Sequence, residues 1–148
     1  MLSLSTVPHA AKWLGALGAI PFIVLAFATV ISGSTHGISQ ALIAYGAVIL
    51  SFLGGIQWGL AIAPSESGEA DANLFRRLGW SVVPSLIAWG AMLLQVRAGL
   101  LVLAVAFVIV LLLDLQACRR GEAPPWYPNL RLPLTAAVVS SLTLSVIG

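Results

Sequence analysis

The sequence predicts an all-α membrane protein, a polytopic bundle of five transmembrane helices with its N-terminus in the cytoplasm and its C-terminus on the opposite side. Three observations lead there. Hydrophobic residues make up 59% of the 148-residue chain and charged residues only 8%, against about a quarter in a soluble domain. The mean hydropathy is +1.03, and the apolar residues fall into long runs separated by short polar breaks. When those runs are counted as five crossings, six of the seven basic residues lie on one side. Bilayer lipid is therefore the first expected partner. Nucleic acid is excluded despite a pI near 9.2, because so few cations, scattered among apolar runs, track no phosphate backbone.

The elements follow in order within a single transmembrane domain covering 1–148. Between Lys12 and Glu66 lie 53 residues without a formal charge, too many for one crossing and suited to two. The small, polar stretch Ser32-Gly33-Ser34-Thr35-His36-Gly37 divides them into helices over about 13–31 and 38–63. The polar stretch from Pro64 to Asp71, closed by Arg76-Arg77, reads as a solvated loop, and a third span follows over 78–96. Arg97 and Gly99 mark a tight turn into a fourth, 98–117, which ends before Arg119-Arg120-Gly121. The last apolar run, 132–147, covers only about 24 Å at 1.5 Å per residue, so the fifth helix is placed from 129 to 147.

Five crossings put Lys12, Arg76, Arg77, Arg119, Arg120 and Arg131 on the inner side and Arg97 alone on the other, which satisfies the positive-inside rule for a multi-pass protein of the bacterial inner membrane. Trp13, Trp80 and Trp126-Tyr127 fall at the inner interface, where amphipathic rings are favoured. Lys12 and the segment Ala26-Phe27-Ala28 mimic a secretory leader, but the apolar run is longer than a leader's and is expected to remain as a span.

The second helix carries the most specific pattern. Ala47, Ser51, Gly55, Gly59 and Ala63 recur every four residues, a small-residue stripe that suits close helix packing, with Ala11, Gly15 and Ala19 of the first helix as a counterpart. On this reading Gly55→Leu disturbs assembly more than Val48→Leu. Gly54 lies one turn before Gln57 and Trp58 and leaves a notch beneath them. Lipid offers nothing to a buried amide, so Gln57 is expected to face protein, either in an interhelical hydrogen bond or in a small polar pocket capped by an indole.

The run from Tyr45 to Gly59 resembles the signature of the transmembrane-protein-69-like family, small five-helix membrane proteins of unknown function in proteobacteria and mitochondria. Pro84 within Trp80-Ser81-Val82-Val83-Pro84-Ser85, Asp114, and the segment from Trp126 to Thr135 look like later landmarks of that family, so the resemblance covers essentially the whole chain. It implies no catalytic or binding residue. Translocator-type five-helix proteins that bind porphyrins and sterols are similar only in size, helix count and tryptophan content.

Asp114 is the one acidic residue inside an apolar run, near the negative end of its helix, and needs a cation: Arg131 first, Arg77 second. It reads either as a structural pair or as a group handling protons or ions. Counted by helical rise, Gln57, Trp58, Ser81, Pro84, Ser85 and Thr135 share one depth in the inner half. The candidate pocket or polar cluster is therefore Ser51, Gly54, Gly55, Gln57, Trp58, Ser81, Ser85, Asp114 and Arg131. His9 and His36 lie outside the helices on opposite sides of the membrane and share no metal or haem. One cysteine, no phosphate loop, no nucleophile set and no paired carboxylates leave no constellation for catalysis, metal or cofactor. The expected role is non-catalytic: an accessory or assembly partner of a larger inner-membrane complex, meeting other membrane subunits or its own copies, or alternatively a binder or translocator of a small apolar or amphipathic molecule.

Overall fold

The computed structural model describes residues 7–32, 36–63 and 71–147, which form α1 (His9–Ser32), α2 (His36–Ile62), α3 (Asp71–Leu93), α4 (Val96–Arg119) and α5 (Tyr127–Ile147). Four of these, α1, α2, α4 and α5, are long and apolar enough to cross a membrane. The 23 residues of α3 include Asp71, Arg76 and Arg77 in its first two turns, which makes it the least apolar of the five.

Several boundaries differ from those read in the sequence, because hydropathy locates apolar runs whereas hydrogen bonding sets helix ends. Helix α1 begins four residues early: Pro8 precedes it, a position where the missing N–H costs nothing, and its carbonyl accepts from Lys12. Helix α3 begins seven residues early, so Arg76 and Arg77 are helical rather than loop residues; arginine is a good helix former, and its charge does not interrupt the backbone ladder. The remainder of that expected loop, 64–70, lies outside the described residues, as do 33–35 of the first turn, which Ser32 and His36 flank. The histidines open α1 and α2, so both are helical, at their first positions.

The α3–α4 break falls at Leu94-Gln95, and Arg97 and Gly99 belong to the first turn of α4. Gly99 is needed for a different reason than turning: a Cβ there would stand 2.6 Å from the Ala91 carbonyl oxygen, so the two helices meet backbone to backbone. Helix α4 closes on Gly121, at φ 75°, with Gly121 N–H donating to the Cys118 carbonyl and Glu122 N–H to that of Ala117 at 2.9 Å. That is a Schellman motif, and its left-handed residue suits glycine. Helix α5 starts at Tyr127, and its 21 residues rise about 32 Å, enough for a hydrocarbon core of roughly 30 Å.

The helices form a ring. Helix α1 packs on α2 and α5, α3 on α2 and α4, and α4 on α5, while α2 also meets α4 across the middle. Gly99 in early α4 lies against Ile43 in early α2, and Asp114 in late α4 against Gln57 in late α2, so α2 and α4 run parallel. The core between them holds Phe22, Leu42, Ile43, Leu50, Leu100, Leu103, Phe107 and Leu142. Phe22 is its hub, edge-on to Tyr45 at 5.0 Å and to Phe107 at 5.9 Å. The Tyr45 hydroxyl donates to the Gly18 carbonyl at 2.9 Å and ties α2 to α1. Outside the ring, Trp13, Leu14, Phe27, Ile31, Phe52 and Trp89 are exposed, an apolar surface suited to lipid.

The small-residue stripe does not pack as its spacing suggested. Ala47 is buried and Ser51 half-buried, but Gly55, Gly59 and Ala63 are exposed, and a Cβ at Gly55 or Gly59 would meet nothing within 4 Å among the described residues. Each step of four residues turns about 40° around a helix of 3.6 residues per turn, so five such positions drift from the core to the outside. Gly54 makes the close approach instead: a Cβ there would stand 2.6 Å from the Ser81 carbonyl oxygen and 3.5 Å from Pro84. Gly15 likewise faces Leu134 and Leu130 of α5, not α2.

Candidate functional site

Three helices meet at one carboxylate. Asp114, five residues before the end of α4, is 2% exposed, and Arg131, in the second turn of α5, is 6% exposed. Arg131 Nε donates to Asp114 Oδ2 at 2.6 Å, and Gln57 Nε2 of α2 donates to Oδ1. Each charge stands at the wrong end of its own helix, a carboxylate near a C-terminus and a guanidinium near an N-terminus. Bringing the ends of α4 and α5 together corrects both, since each charge then sits beside the other helix's favourable pole. Arg77, the second candidate, instead reaches the Leu60 carbonyl at 3.4 Å and Glu122 at 3.7 Å. Arg131 is accordingly no interfacial charge, and five cations rather than six remain at this basic end for the membrane surface.

Beside Gln57 opens a cavity of about 450 Å³ between α2, α3, α4 and the α4–α5 connection. Trp80, Pro84, Val110 and Leu113 form its apolar wall, and Asn73, Arg76, Arg77, Gln116, Arg120 and Glu122 its polar side. The proline and the backbone contact at Gly54 hold α3 in place here, and Ser81 lines the space while its hydroxyl donates to the Leu78 carbonyl at 2.6 Å.

Of the residues expected at a pocket, Gln57 and Ser81 line this cavity, and Asp114 and Arg131 stand behind Gln57. Ser51, Gly54, Gly55, Trp58 and Ser85 are not in its lining. Trp58 is 43% exposed and outside the lining; the indole beside the cavity belongs to Trp80, because the notch at Gly54 is filled by the Ser81 backbone and Pro84 of α3 rather than by side chains of its own helix. Sequence reasoning missed Asn73, Gln116 and Glu122, treated Arg76 and Arg120 only as topology markers, and considered Arg77 as a topology marker and a partner for Asp114 but not as a cavity residue. The signal for the first two arginines was their helical position, which the charged stretch concealed.

Residues 7–147 match the family described as Protein of unknown function (DUF3429). Transmembrane protein 69 of Xenopus tropicalis is 34% identical over 147 residues, covering 99% of this chain and 57% of that protein. The chain belongs to the transmembrane-protein-69-like family. A second relative, Transmembrane protein 69 of Mus musculus, is 28% identical over 141 residues, 95% of this chain and 56% of that protein. The chain thus spans a little over half the length of these curated relatives. No solved structure matches it. Family membership and the apolar helices together make it a membrane protein in contact with lipid.

Proposed function

We propose that this is a non-catalytic protein of the inner membrane, crossing it five times with the N-terminus in the cytoplasm, that binds a small amphipathic molecule in the cavity of its cytoplasmic half. The observation that carries this reading is the union, in one space of about 450 Å³, of an apolar wall with arginine side chains in the same lining. That volume lies within the range of small-molecule sites. Trp80, Pro84 and Leu113 suit an apolar body, and Arg76 and Arg120 suit an anionic head.

Five crossings are favoured over four by connectivity. Helices α2 and α4 run parallel, and both are apolar enough to span, so the chain must return across the full depth between them; α3 is the segment that returns it. Arginine stems are long enough to carry the charges of α3 toward the headgroup level. The cations remaining at the basic end, Lys12, Arg76, Arg77, Arg119 and Arg120, against Arg97 at the other, favour that end as the inner one.

A second reading, an accessory or assembly partner of a larger complex, is favoured by Gly55 and Gly59, which are exposed and whose Cβ positions meet none of the described residues. Purification in mild detergent followed by mass spectrometry of co-purifying proteins and lipophilic compounds separates the two. One enriched amphiphile, lost when Arg76 and Arg120 are both changed to Gln, is the outcome expected; stoichiometric partner subunits without such a compound would replace the first reading by the second.

A further inference from the structure

On the opposite side of the Asp114–Arg131 pair, a second and smaller space of about 140 Å³ lies among α1, α2, α4 and α5. Its walls are apolar, Phe22, Phe52 and Phe107 among them, and among the described residues Arg131 and Thr135 supply the only polar side chains in its lining. Both hold an atom that is buried and has no partner among the described residues: Arg131 Nη2 and Thr135 Oγ1. Arg131 is 6% exposed and Thr135 2%. An unsatisfied donor in a bilayer is costly, because lipid supplies no partner. Several other hydroxyls avoid that cost by bonding back along their own helices, Thr29 to Leu25, Thr143 to Val139 and Ser145 to Ser141, while the buried Tyr127 hydroxyl, outside this slot, also has no partner among the described residues. Thr135 does not bond back, and it stands one turn from the idle guanidinium nitrogen.

We propose that this slot seats the carbonyl end of an uncharged, apolar ring compound, of which lipid-soluble quinones are the representative class. Four features converge. The unpartnered atoms include an N–H and an O–H donor, so the ligand supplies an acceptor oxygen. Asp114 already neutralises Arg131, and a further anion beside that carboxylate would leave unbalanced charge in a medium of low dielectric, so the acceptor is neutral. A dry cavity of about 150 Å³ lined by Leu, Ile and Phe accepts benzene, so 140 Å³ accommodates one six-membered ring. The lining also includes Leu14 and Phe52, which are 70% and 64% exposed on the outer surface, so the slot is continuous with lipid and leaves a route for an apolar tail. The site is separate from the arginine-lined cavity and does not depend on what that cavity binds.

The shared chemistry is a neutral carbonyl on an apolar group, which a quinone or the ester of an uncharged lipid supplies. Binding of 2-decyl-1,4-benzoquinone, whose ring carries no substituent besides the tail, to the purified full chain in detergent is the primary measurement, with decylbenzene and dioleoylglycerol as competitors. The quinone is expected to bind one per chain and to displace poorly with decylbenzene, which lacks the acceptor. Thr135→Val, which keeps the shape and removes the hydroxyl, is expected to weaken binding about tenfold. Gly18 also lines the slot, and a Cβ there meets nothing within 4 Å among the described residues, so Gly18→Leu is expected to fill the space and abolish binding without disturbing the fold. Displacement by dioleoylglycerol as effective as by unlabelled quinone would support the carbonyl site and assign it to a lipid ester. Absence of quinone and ester binding, decylbenzene competing as well as the quinone, or affinity unchanged in both variants would overturn the proposal.

Discussion

Gly54 and Gly55 are adjacent glycines of one helix with opposite surroundings, and exchanging each for alanine isolates a single physical effect. At Gly54 the new Cβ would stand 2.6 Å from the Ser81 carbonyl oxygen, where ordinary contact begins at 3.4 Å, so α3 must withdraw by about 0.8 Å. Backbone cannot rotate aside as a leucine tip can. Overpacking of this kind costs about 1–3 kcal/mol, and an immovable neighbour places Gly54→Ala in the upper half of that range. At Gly55 the Cβ meets nothing within 4 Å among the described residues, and the substitution should gain up to about 1 kcal/mol of helix propensity. Because that gain is common to both variants, the difference between them is the overpacking cost alone, about 2 kcal/mol, or roughly 30-fold in the unfolding constant. Unfolding in mild detergent, followed by circular dichroism against temperature and against added sodium dodecyl sulfate, measures it. Equal midpoints, or Gly54→Ala the more stable of the two, would refute the close approach of α2 and α3.

Asp114→Asn and Arg131→Gln should each destabilise by about 3 kcal/mol, while the double variant should lose at least 1 kcal/mol less than their sum; strict additivity in the same unfolding assay would deny the coupling. A reporter active only outside the cytoplasm should work when fused after Gly148 and fail when fused after Ser67, and the reverse pattern would contradict five crossings with the N-terminus inside.

Much of this architecture was legible because membrane spans announce themselves by composition. Five apolar runs yielded five helices in the right order, and the solitary carboxylate at Asp114 demanded the kind of partner that Arg131 supplies. What failed was finer than a run. Hydropathy could not locate the start of α3, since Arg76 and Arg77 read as loop until the backbone is seen to be helical through them. The four-residue spacing of Ala47 to Ala63 could not reveal which face is buried, because that spacing drifts around the helix and the true contact fell on Gly54, one residue off the stripe. The cavity was legible only in part: Gln57 and Ser81 were identifiable from depth, but Trp80 replaced Trp58 because the relative rotation of α2 and α3 is fixed by a backbone contact that no single-helix pattern encodes.

The ion pair has a consequence for the order in which the protein is built. Asp114 precedes Arg131 by 17 residues and lies on the preceding helix, so α4 has no counter-charge for its buried carboxylate until α5 docks beside it. Until α5 arrives, the carboxylate can be met only by Gln57 or by water at the headgroup boundary a turn and a half away. Docking of the final helix therefore does more than add a wall. It removes the last reason for that end of α4 to stay wet, so the seating depth of the fourth helix is settled by the arrival of the fifth.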